Sequence, residues 1–144
     1  MSPGPTGARI LYDADCGFCR WSLGWVLRWD RAHRLEPVAL QDPRAAGLLA
    51  EIEPELRLAS WHLVGADGGV ASAGAAAAPL LRLLPGGAAP AWLFERAPGV
   101  VERAYARIAG ARGLLGRRLS AAAIARADRL IAARQPAQRP PPRI

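Results

Sequence analysis

Both cysteines of the chain stand where a predicted strand gives way to a predicted helix. Residues 9–12, of sequence RILY, form a short apolar run with β-formers, which predicts a buried strand. From residue 17 to residue 28, apolar and aromatic side chains recur at helical spacing, which predicts a helix. Cys16 and Cys19 occupy the junction, three positions apart. The rest of the chain is therefore expected to fold around this strand, loop and helix.

The position of the thiols at a helix start favours redox chemistry. The first helical turn leaves backbone N–H groups without intrahelical partners, and their partial positive charge stabilises an anion such as the Cys16 thiolate. C-x-x-C motifs at helix starts activate thiols in this way. We predict that Cys16 is the nucleophile of a thiol–disulfide exchange and that Cys19, one turn later, is the resolving thiol. The alternative is that both are small buried apolar residues.

Two carboxylates flank the dithiol. Asp13 ends the first strand, and two roles stay open for it: accepting or relaying the proton of Cys19, or bonding the backbone amides of the following loop. Asp15 is expected to cap the helix. Both carboxylates oppose ionisation of Cys16, and Arg20 either offsets them or points to solvent.

Beyond residue 29 the pattern predicts alternating short strands and helices. Asp42 is the expected N-cap of a helix, because Pro43 follows it at the first helical position. The order β-α-β-α-β-β-α is the thioredoxin-like arrangement of an α/β fold, a mixed sheet with helices on both faces. The right-handed crossover rule makes the first two strands parallel neighbours. These predicted elements are a strand at 35–40, a helix at 44–52, strands at 60–65 and 70–72, and a helix at 75–84.

Additional C-terminal helices are expected after this core. One is predicted to begin at residues 92–94 and a clearer one covers residues 100–116, with Val101, Tyr105, Ile108 and Leu115 on one stripe. Ser120 is the expected cap of a last helix that ends at residue 134 and turns Ile124, Ala127 and Ile131 inward. Residues 1–8 and 135–144 are rich in proline and are expected to be a disordered lead-in and tail. Residues 9–134 are therefore predicted to form a single domain.

Aromatic and histidine side chains are interpreted first as packing groups. Trp21, Trp25 and Trp29 share a helix face and are predicted to pack against the sheet, although one near the dithiol could contact a partner. His62 lies on the third predicted strand and is expected to be a packed or edge histidine.

Cysteine usage bears on compartment and cofactors. The N-terminus lacks the apolar segment of a secretory signal, and no apolar run approaches the ~20 residues of a membrane span. A cytoplasmic location is expected, where a C-x-x-C is catalytic or metal-binding. A structural zinc site needs four ligands, and only His33 and His62 could add to the cysteines. Arg20 follows Cys19 where covalent haem attachment needs histidine. We expect no metal and no cofactor besides the Cys16–Cys19 disulfide.

Positive charge is concentrated in the C-terminal part. All basic residues are arginines apart from the two histidines, and residues 96–144 carry a net charge of +9 against −2 for residues 1–95. This asymmetry fits a solvated helix face, or a contact surface for an acidic partner, a membrane or nucleic acid. Specific nucleic-acid binding is not expected, since Tyr105 is the only aromatic residue near the arginines of the predicted 100–116 helix.

Asp13, Cys16 and Cys19 fit the D-x-x-C-x-x-C signature of the DCC family, and the chain resembles that family over about residues 9–120. The wider likeness includes ILYD at 10–13, WHLV at 61–64, DG at 67–68, LLPG at 83–86 and a basic segment at 112–118. The resemblance implies a thioredoxin-like fold and a thiol–disulfide oxidoreductase. Its partner would be a protein with thiols or a disulfide, or a small-molecule thiol.

The resemblance also implies a substrate surface near the dithiol. Thioredoxins carry a cis-proline before the third strand, where this chain has Ala59-Ser60, so Ser60 is expected to face the thiols instead. The predicted surface consists of Gly17, Phe18, Arg20, Trp21 and Ser60. The alternative function is a non-catalytic binding module that uses the basic C-terminal helices as its contact surface.

Overall fold

A mixed four-stranded sheet forms the centre of the structure, a computed structural model that describes residues 7–135. Its strands are β1 (Ala8–Tyr12), β2 (Leu35–Ala39), β3 (His62–Val64) and β4 (Val70–Ser72), in the order β2-β1-β3-β4. β1 and β2 are parallel, whereas the β1–β3 and β3–β4 pairs are antiparallel. The predicted parallel pair and the thioredoxin-like α/β class are confirmed. The division into lead-in, domain and tail stays a prediction, because residues 1–6 and 136–144 lie outside the described residues.

Seven α-helices accompany the sheet in this part of the chain. The predicted caps are confirmed: the Asp42 side chain accepts from the amide of Arg44, and Ser120 accepts from the amide of Ala123. The predicted 44–52 helix is wrong at its end: the helix stops at Leu48, and Pro54 begins a separate short helix. The helices are α1 (Gly17–Trp29), α2 (Pro43–Leu48), α3 (Pro54–Arg57), α4 (Ala77–Leu83, preceded by a 3₁₀ turn at Ala73–Ala76), α5 (Ala88–Arg96), α6 (Pro98–Arg118) and α7 (Ala121–Arg134).

Apolar side chains fill both faces of the sheet. On one face, Leu23 and Leu27 of α1 pack with Ile10 and Leu63, and α7 adds Ile131. The other face buries a second cluster, made of Leu11, Val38, Ala45, Leu49 and Val64. Because Ala45 and Leu49 come from α2 and its C-cap, the sheet is covered on both sides, as predicted.

The prediction that the α1 tryptophans pack against the sheet is wrong. Trp25 is 55% exposed and Trp29 is 40% exposed, while α1 buries Leu23, Gly24 and Leu27. The reason is that α1 has two covered sides: its leucines meet the sheet, and Gly24 meets Ala127 of α7. The aromatic stripe lies on the remaining side.

The two C-terminal helices differ in burial. α7 turns Ala127 and Ile131 inward as predicted, both 4% exposed, with Ile124 partly buried. On α6 the predicted apolar stripe is only partly covered, since Ile108 is 50% exposed and Leu115 is 36% exposed. None of the helices in residues 7–135 combines the length and apolar character needed to cross a membrane.

The prediction of a packed histidine is confirmed. His62 is 1% exposed, its Nε2 lies 2.8 Å from the carbonyl oxygen of Arg57, and its Nδ1 lies 2.6 Å from Oγ of Ser72. The Arg57 carbonyl can only accept, so Nε2 carries the proton and Nδ1 accepts from the Ser72 hydroxyl.

Candidate active site

The dithiol lies at the N-terminus of α1, where Cys16 is the N-cap residue. Its backbone is extended (φ −103°, ψ 112°), which turns the side chain back over the first helical turn. The backbone N–H of Cys19 donates to Sγ of Cys16 at 3.3 Å. The prediction that Asp15 caps the helix is wrong: Asp15 is exposed, and the sulfur of Cys16 takes the capping position.

The two cysteines are free thiols in unlike environments. Both are partly buried. Burial raises the pKa of Cys19 to about 12, and the hydrogen bond with Cys16 and the nearby Cys16 and Asp13 charges act in the same direction, against a smaller opposing effect of Arg112. Cys19 is therefore held as a neutral thiol, while Sγ of Cys16 accepts a backbone hydrogen bond in the first turn of α1.

Asp13 organises the loop before the dithiol. Its Oδ1 accepts from the amide of Asp15 at 3.0 Å and from Nε2 of Gln41 at 2.8 Å. Gln41 in turn accepts from the amide of Ala14 through Oε1 at 3.1 Å. The geometry thus contains the predicted loop-bonding contact of Asp13. The proton-relay role stays a prediction.

Gln41 was not singled out in the sequence, although a signal for it exists. β1 and β2 are parallel and register Tyr12 against Ala39. The residues that follow the two strands must therefore meet at one edge of the sheet. A polar side chain two positions after Ala39 is in reach of the loop that carries Asp13 and Ala14.

A mostly apolar cleft of about 330 Å³ opens beside Cys19. Of the predicted site residues, Asp13, Phe18, Cys19 and Ser60 line it. Cys16 is not among the lining residues. The other lining residues are Ile10, Tyr12, Ser22, Leu23, Val26, Trp61, Leu80, Tyr105, Ile108, Ala109 and Arg112.

Two polar residues of the cleft, Tyr105 and Arg112, come from α6 and were not predicted as site residues. Burial raises the pKa of Tyr105, so its hydroxyl stays protonated at neutral pH. Arg112 carries the positive charge that works against the raised pKa of Cys19. Sequence spacing alone could not find them, because they lie more than eighty positions from the dithiol.

Three predicted surface residues face α7 instead of the cleft. A Cβ on Gly17 would lie 3.1 Å from Cδ1 of Ile124. Nη1 of Arg20 pairs with Oδ2 of Asp128 at 2.8 Å, so this guanidinium does not point freely to solvent. Trp21 lines a groove between α1 and α7.

The described residues contain no group of three or more histidine, cysteine, aspartate or glutamate side chains arranged to hold a metal ion. His62, one of the two histidines considered as ligands, has both ring nitrogens engaged by Ser72 and Arg57.

The chain was compared with known families, curated proteins and solved structures. A family model described as DCC1-like thiol-disulfide oxidoreductase matches residues 10–118. No curated protein and no solved structure matches the chain. The matched range contains both cysteines, three whole strands and most of β1.

Proposed function

Because the chain belongs to the DCC1-like thiol-disulfide oxidoreductase family, we propose that it exchanges thiols and disulfides through Cys16 and Cys19. The observation that carries the proposal is that the two sulfurs lie in different environments. Sγ of Cys16 accepts an amide hydrogen bond at the start of α1, whereas burial raises the pKa of Cys19 to about 12. A nucleophile needs thiolate character, and a resolving thiol must stay protonated until the mixed disulfide has formed.

The proposed reaction has two steps. The Cys16 thiolate attacks one sulfur of a substrate disulfide, so a mixed disulfide forms, the substrate S–S bond breaks, and the second substrate sulfur leaves as a thiolate that takes up a proton. Cys19 then loses its proton and attacks Sγ of Cys16. The Cys16–Cys19 disulfide forms and the remaining substrate sulfur leaves. The substrate gains two electrons and the dithiol loses two, without a further redox cofactor.

Asp13 is the proposed acceptor of the Cys19 proton. It lines the same cleft as Cys19, and its charge contributes to the raised pKa of that thiol. Phe18 and Ser60, which border the cleft beside Cys19, are the proposed contacts for the substrate. That substrate is a protein with a disulfide or a small-molecule disulfide, and the same steps in reverse would oxidise a dithiol.

Equilibration with redox buffers tests the proposal. The protein is incubated across a series of reduced and oxidised glutathione or dithiothreitol, its thiols are alkylated, and its mass is measured. Because the sequence contains only two cysteines, the number of alkyl groups found by mass gives the redox state of the Cys16–Cys19 pair directly. One reversible two-electron transition is expected.

The single variants Cys16→Ser and Cys19→Ser are the controls, and neither should form an intramolecular disulfide. If the wild-type dithiol stays reduced in the most oxidising buffer, the proposed function is wrong.

A further inference from the structure

We propose that the aromatic and basic face of α1 and α7 binds the surface of an anionic lipid membrane. This surface, called the Trp–Arg face below, lies outside the dithiol site. It consists of Trp21, Trp25, Arg28, Trp29 and Arg31 of α1 and the loop after it, and of Arg126 and Arg129 of α7.

The aromatic half of the face protrudes from α1. Trp25 is 55% exposed and Trp29 is 40% exposed, although both are large apolar side chains. Trp21 packs edge-on against Trp25 with ring centres 6.3 Å apart, and the indole N–H of Trp29 donates to the carbonyl of Pro85 at 2.8 Å. The rings are therefore fixed in place while their outer faces remain uncovered. Tryptophan with an apolar body and a polar N–H is the residue type that concentrates at membrane–water interfaces.

The basic half of the face surrounds these rings. The guanidinium of Arg28 lies 5.2 Å from the centre of the Trp25 ring. Arg126 and Arg129 line the groove between Trp25 and α7, and Arg31 lines the groove between Trp25 and Trp29. Neither groove has a carboxylate in its wall, and in the described part of the chain none of these four arginines forms an ion pair.

Charge and shape together favour a lipid surface over other occupants. Four uncompensated arginines would repel the same four arginines of a second copy, which argues against self-association through this face. The grooves are open and the tryptophans stand out from the helix, so the face offers projecting rings and not a socket for a partner's side chain. Projecting aromatic rings among arginines match the headgroup region of an anionic bilayer, where rings insert and cations meet lipid phosphates.

The position of the face leaves the dithiol accessible. Trp25 lies eight positions after Gly17, which corresponds to about 12 Å along the helix axis. Because Trp25 and Trp29 are the exposed tryptophans of the face, a bound membrane would contact α1 mainly through its C-terminal half, while the N-terminus of α1, with Cys16, stays free for exchange.

Cosedimentation of the full chain with lipid vesicles tests the proposal. Binding is expected to vesicles that contain phosphatidylglycerol, to weaken with added salt, and to be absent with pure phosphatidylcholine. Lipids with brominated acyl chains should quench the tryptophan fluorescence on binding, and Trp25→Ala should remove most of this quenching. Trp92→Ala is the matched control, because Trp92 is 52% exposed and also lies under an arginine, Arg96, at 4.1 Å.

Charge variants separate this face from the general positive charge of the chain. Replacing Arg28, Arg126 and Arg129 by glutamine should weaken vesicle binding roughly 100-fold, since each interfacial arginine contributes about fivefold. The control replaces three exposed arginines of α6 by glutamine and should bind almost as wild type does; these are Arg103, Arg107 and Arg117. Alkylation of Cys16 at the wild-type rate checks that both variants are folded.

Four results would overturn the proposal. The first is equal binding to phosphatidylcholine and phosphatidylglycerol vesicles, and the second is no binding to phosphatidylglycerol vesicles. The third is a loss of binding in the α6 control as large as that in the variant of the Trp–Arg face. The fourth is binding of soluble polyglutamate without any binding to vesicles. The last result would identify an acidic protein as the partner.

Discussion

The backbone amide of Cys19 donates a hydrogen bond to Sγ of Cys16, 3.3 Å away, so the second cysteine of the motif holds the sulfur of the first in position. In this arrangement the sulfur of Cys16 itself takes the place of the oxygen that usually caps a helix. The same helical turn places Cys19 against the wall of the cleft, where burial raises its pKa to about 12. One turn of helix thus gives the two thiols different chemistry.

Alkylation by iodoacetamide should distinguish the two thiols. Below pH 8 we expect Cys16 to be modified first, because burial raises the pKa of Cys19 to about 12 and keeps it protonated. Peptide mass analysis gives the rate at each site. Cys19→Ser should accumulate mixed disulfides on Cys16, whereas Cys16→Ser should accumulate few. Equal alkylation rates would contradict the proposed roles of the two thiols. Trapping of mixed disulfides on Cys19 would reverse these roles.

Replacing Asp13 by asparagine tests its proposed role as proton acceptor. The variant keeps an oxygen that can accept from the amide of Asp15 but loses the charge. Release of a thiol from the mixed disulfide should slow by about 10²-fold, in the range of general base catalysis. Removal of the charge lowers the pKa of Cys19, so direct alkylation of that thiol should not slow. Asp15→Asn is the control, since Asp15 is exposed. If Asp13→Asn releases the thiol from the mixed disulfide at the wild-type rate, Asp13 is not the proton acceptor and only its hydrogen bonding within the loop remains.

Acid should destabilise the protein through His62. Burial lowers the pKa of His62, so the unfolded chain binds a proton at about pH 6.5 and the folded chain binds it only at lower pH. The free energy of unfolding should therefore fall as the pH drops through 6.5 toward the folded-state pKa. His62→Gln should flatten this dependence in urea titrations.

The other histidine of the chain provides the control for this measurement. His33 is exposed, and asparagine suits its left-handed backbone (φ 53°). His33→Asn should keep the wild-type pH dependence. If it flattens the curve as much as His62→Gln does, the assignment to His62 is wrong.

Removal of Arg134 should strongly destabilise the contact between α7 and α1. Nη1 of Arg134 lies 2.8 Å from Oδ2 of Asp30, a carboxylate with no exposed surface that also accepts from the amides of Arg34 and Leu35. Arg134→Met leaves this buried charge without its partner, which should cost about 3–5 kcal/mol in the free energy of unfolding.

Urea unfolding measures this loss and compares it with a matched variant. Arg129→Met, on an exposed position of the same helix, should change stability by less than about 0.5 kcal/mol. Adding Asp30→Asn to Arg134→Met should recover part of the loss, because the buried charge is then absent. A small effect of Arg134→Met alone would contradict the predicted importance of this ion pair.

A methyl group at Gly24 should push α1 and α7 apart. A Cβ there would lie 2.7 Å from Cβ and 3.0 Å from Cα of Ala127. Gly24→Ala should therefore destabilise the protein by about 1–3 kcal/mol despite the better helix propensity of alanine. Gly110→Ala, on α6 with no atom within 4 Å, should instead stabilise by up to about 1 kcal/mol. Ala127→Gly should rescue Gly24→Ala if the clash is the cause.

Local features of the fold could be predicted because their interactions join residues close in sequence. The start of α1 at Gly17 and the caps Asp42 and Ser120 depend on hydrogen bonds within a few positions. The strand before the dithiol pairs with distant strands, but its own apolar, β-forming residues indicated it. The predicted helix over residues 44–52 was wrong at its end: the helix stops at Leu48, the chain then turns with the amide of Ile52 donating to the carbonyl of Leu49, and a second short helix begins at Pro54.

The candidate site was predicted mainly where it is local. Asp13, Cys16 and Cys19 lie within one stretch, in the loop before α1 and in its first turn. Ser60 also lines the cleft, and it was selected because it stands where thioredoxins carry the cis-proline. Arg20 could not be placed from the sequence, since its partner Asp128 lies 108 positions away. The contributions of Tyr105 and Arg112 depend in the same way on how α6 crosses α1.

The sequence by itself determined the dithiol at a helix start, because the hydrogen bonds at a helix end are local. It also determined the parallel pairing of the first two strands, because two strands joined by one helix pack as a right-handed crossover. It left open which side of α1 is buried, since leucines and tryptophans both recur at helical spacing along it. Only the tertiary structure decided this point. Gly24 allows α7 to approach, the leucines face the sheet, and Trp25 and Trp29 remain largely at the surface on the third side of the helix.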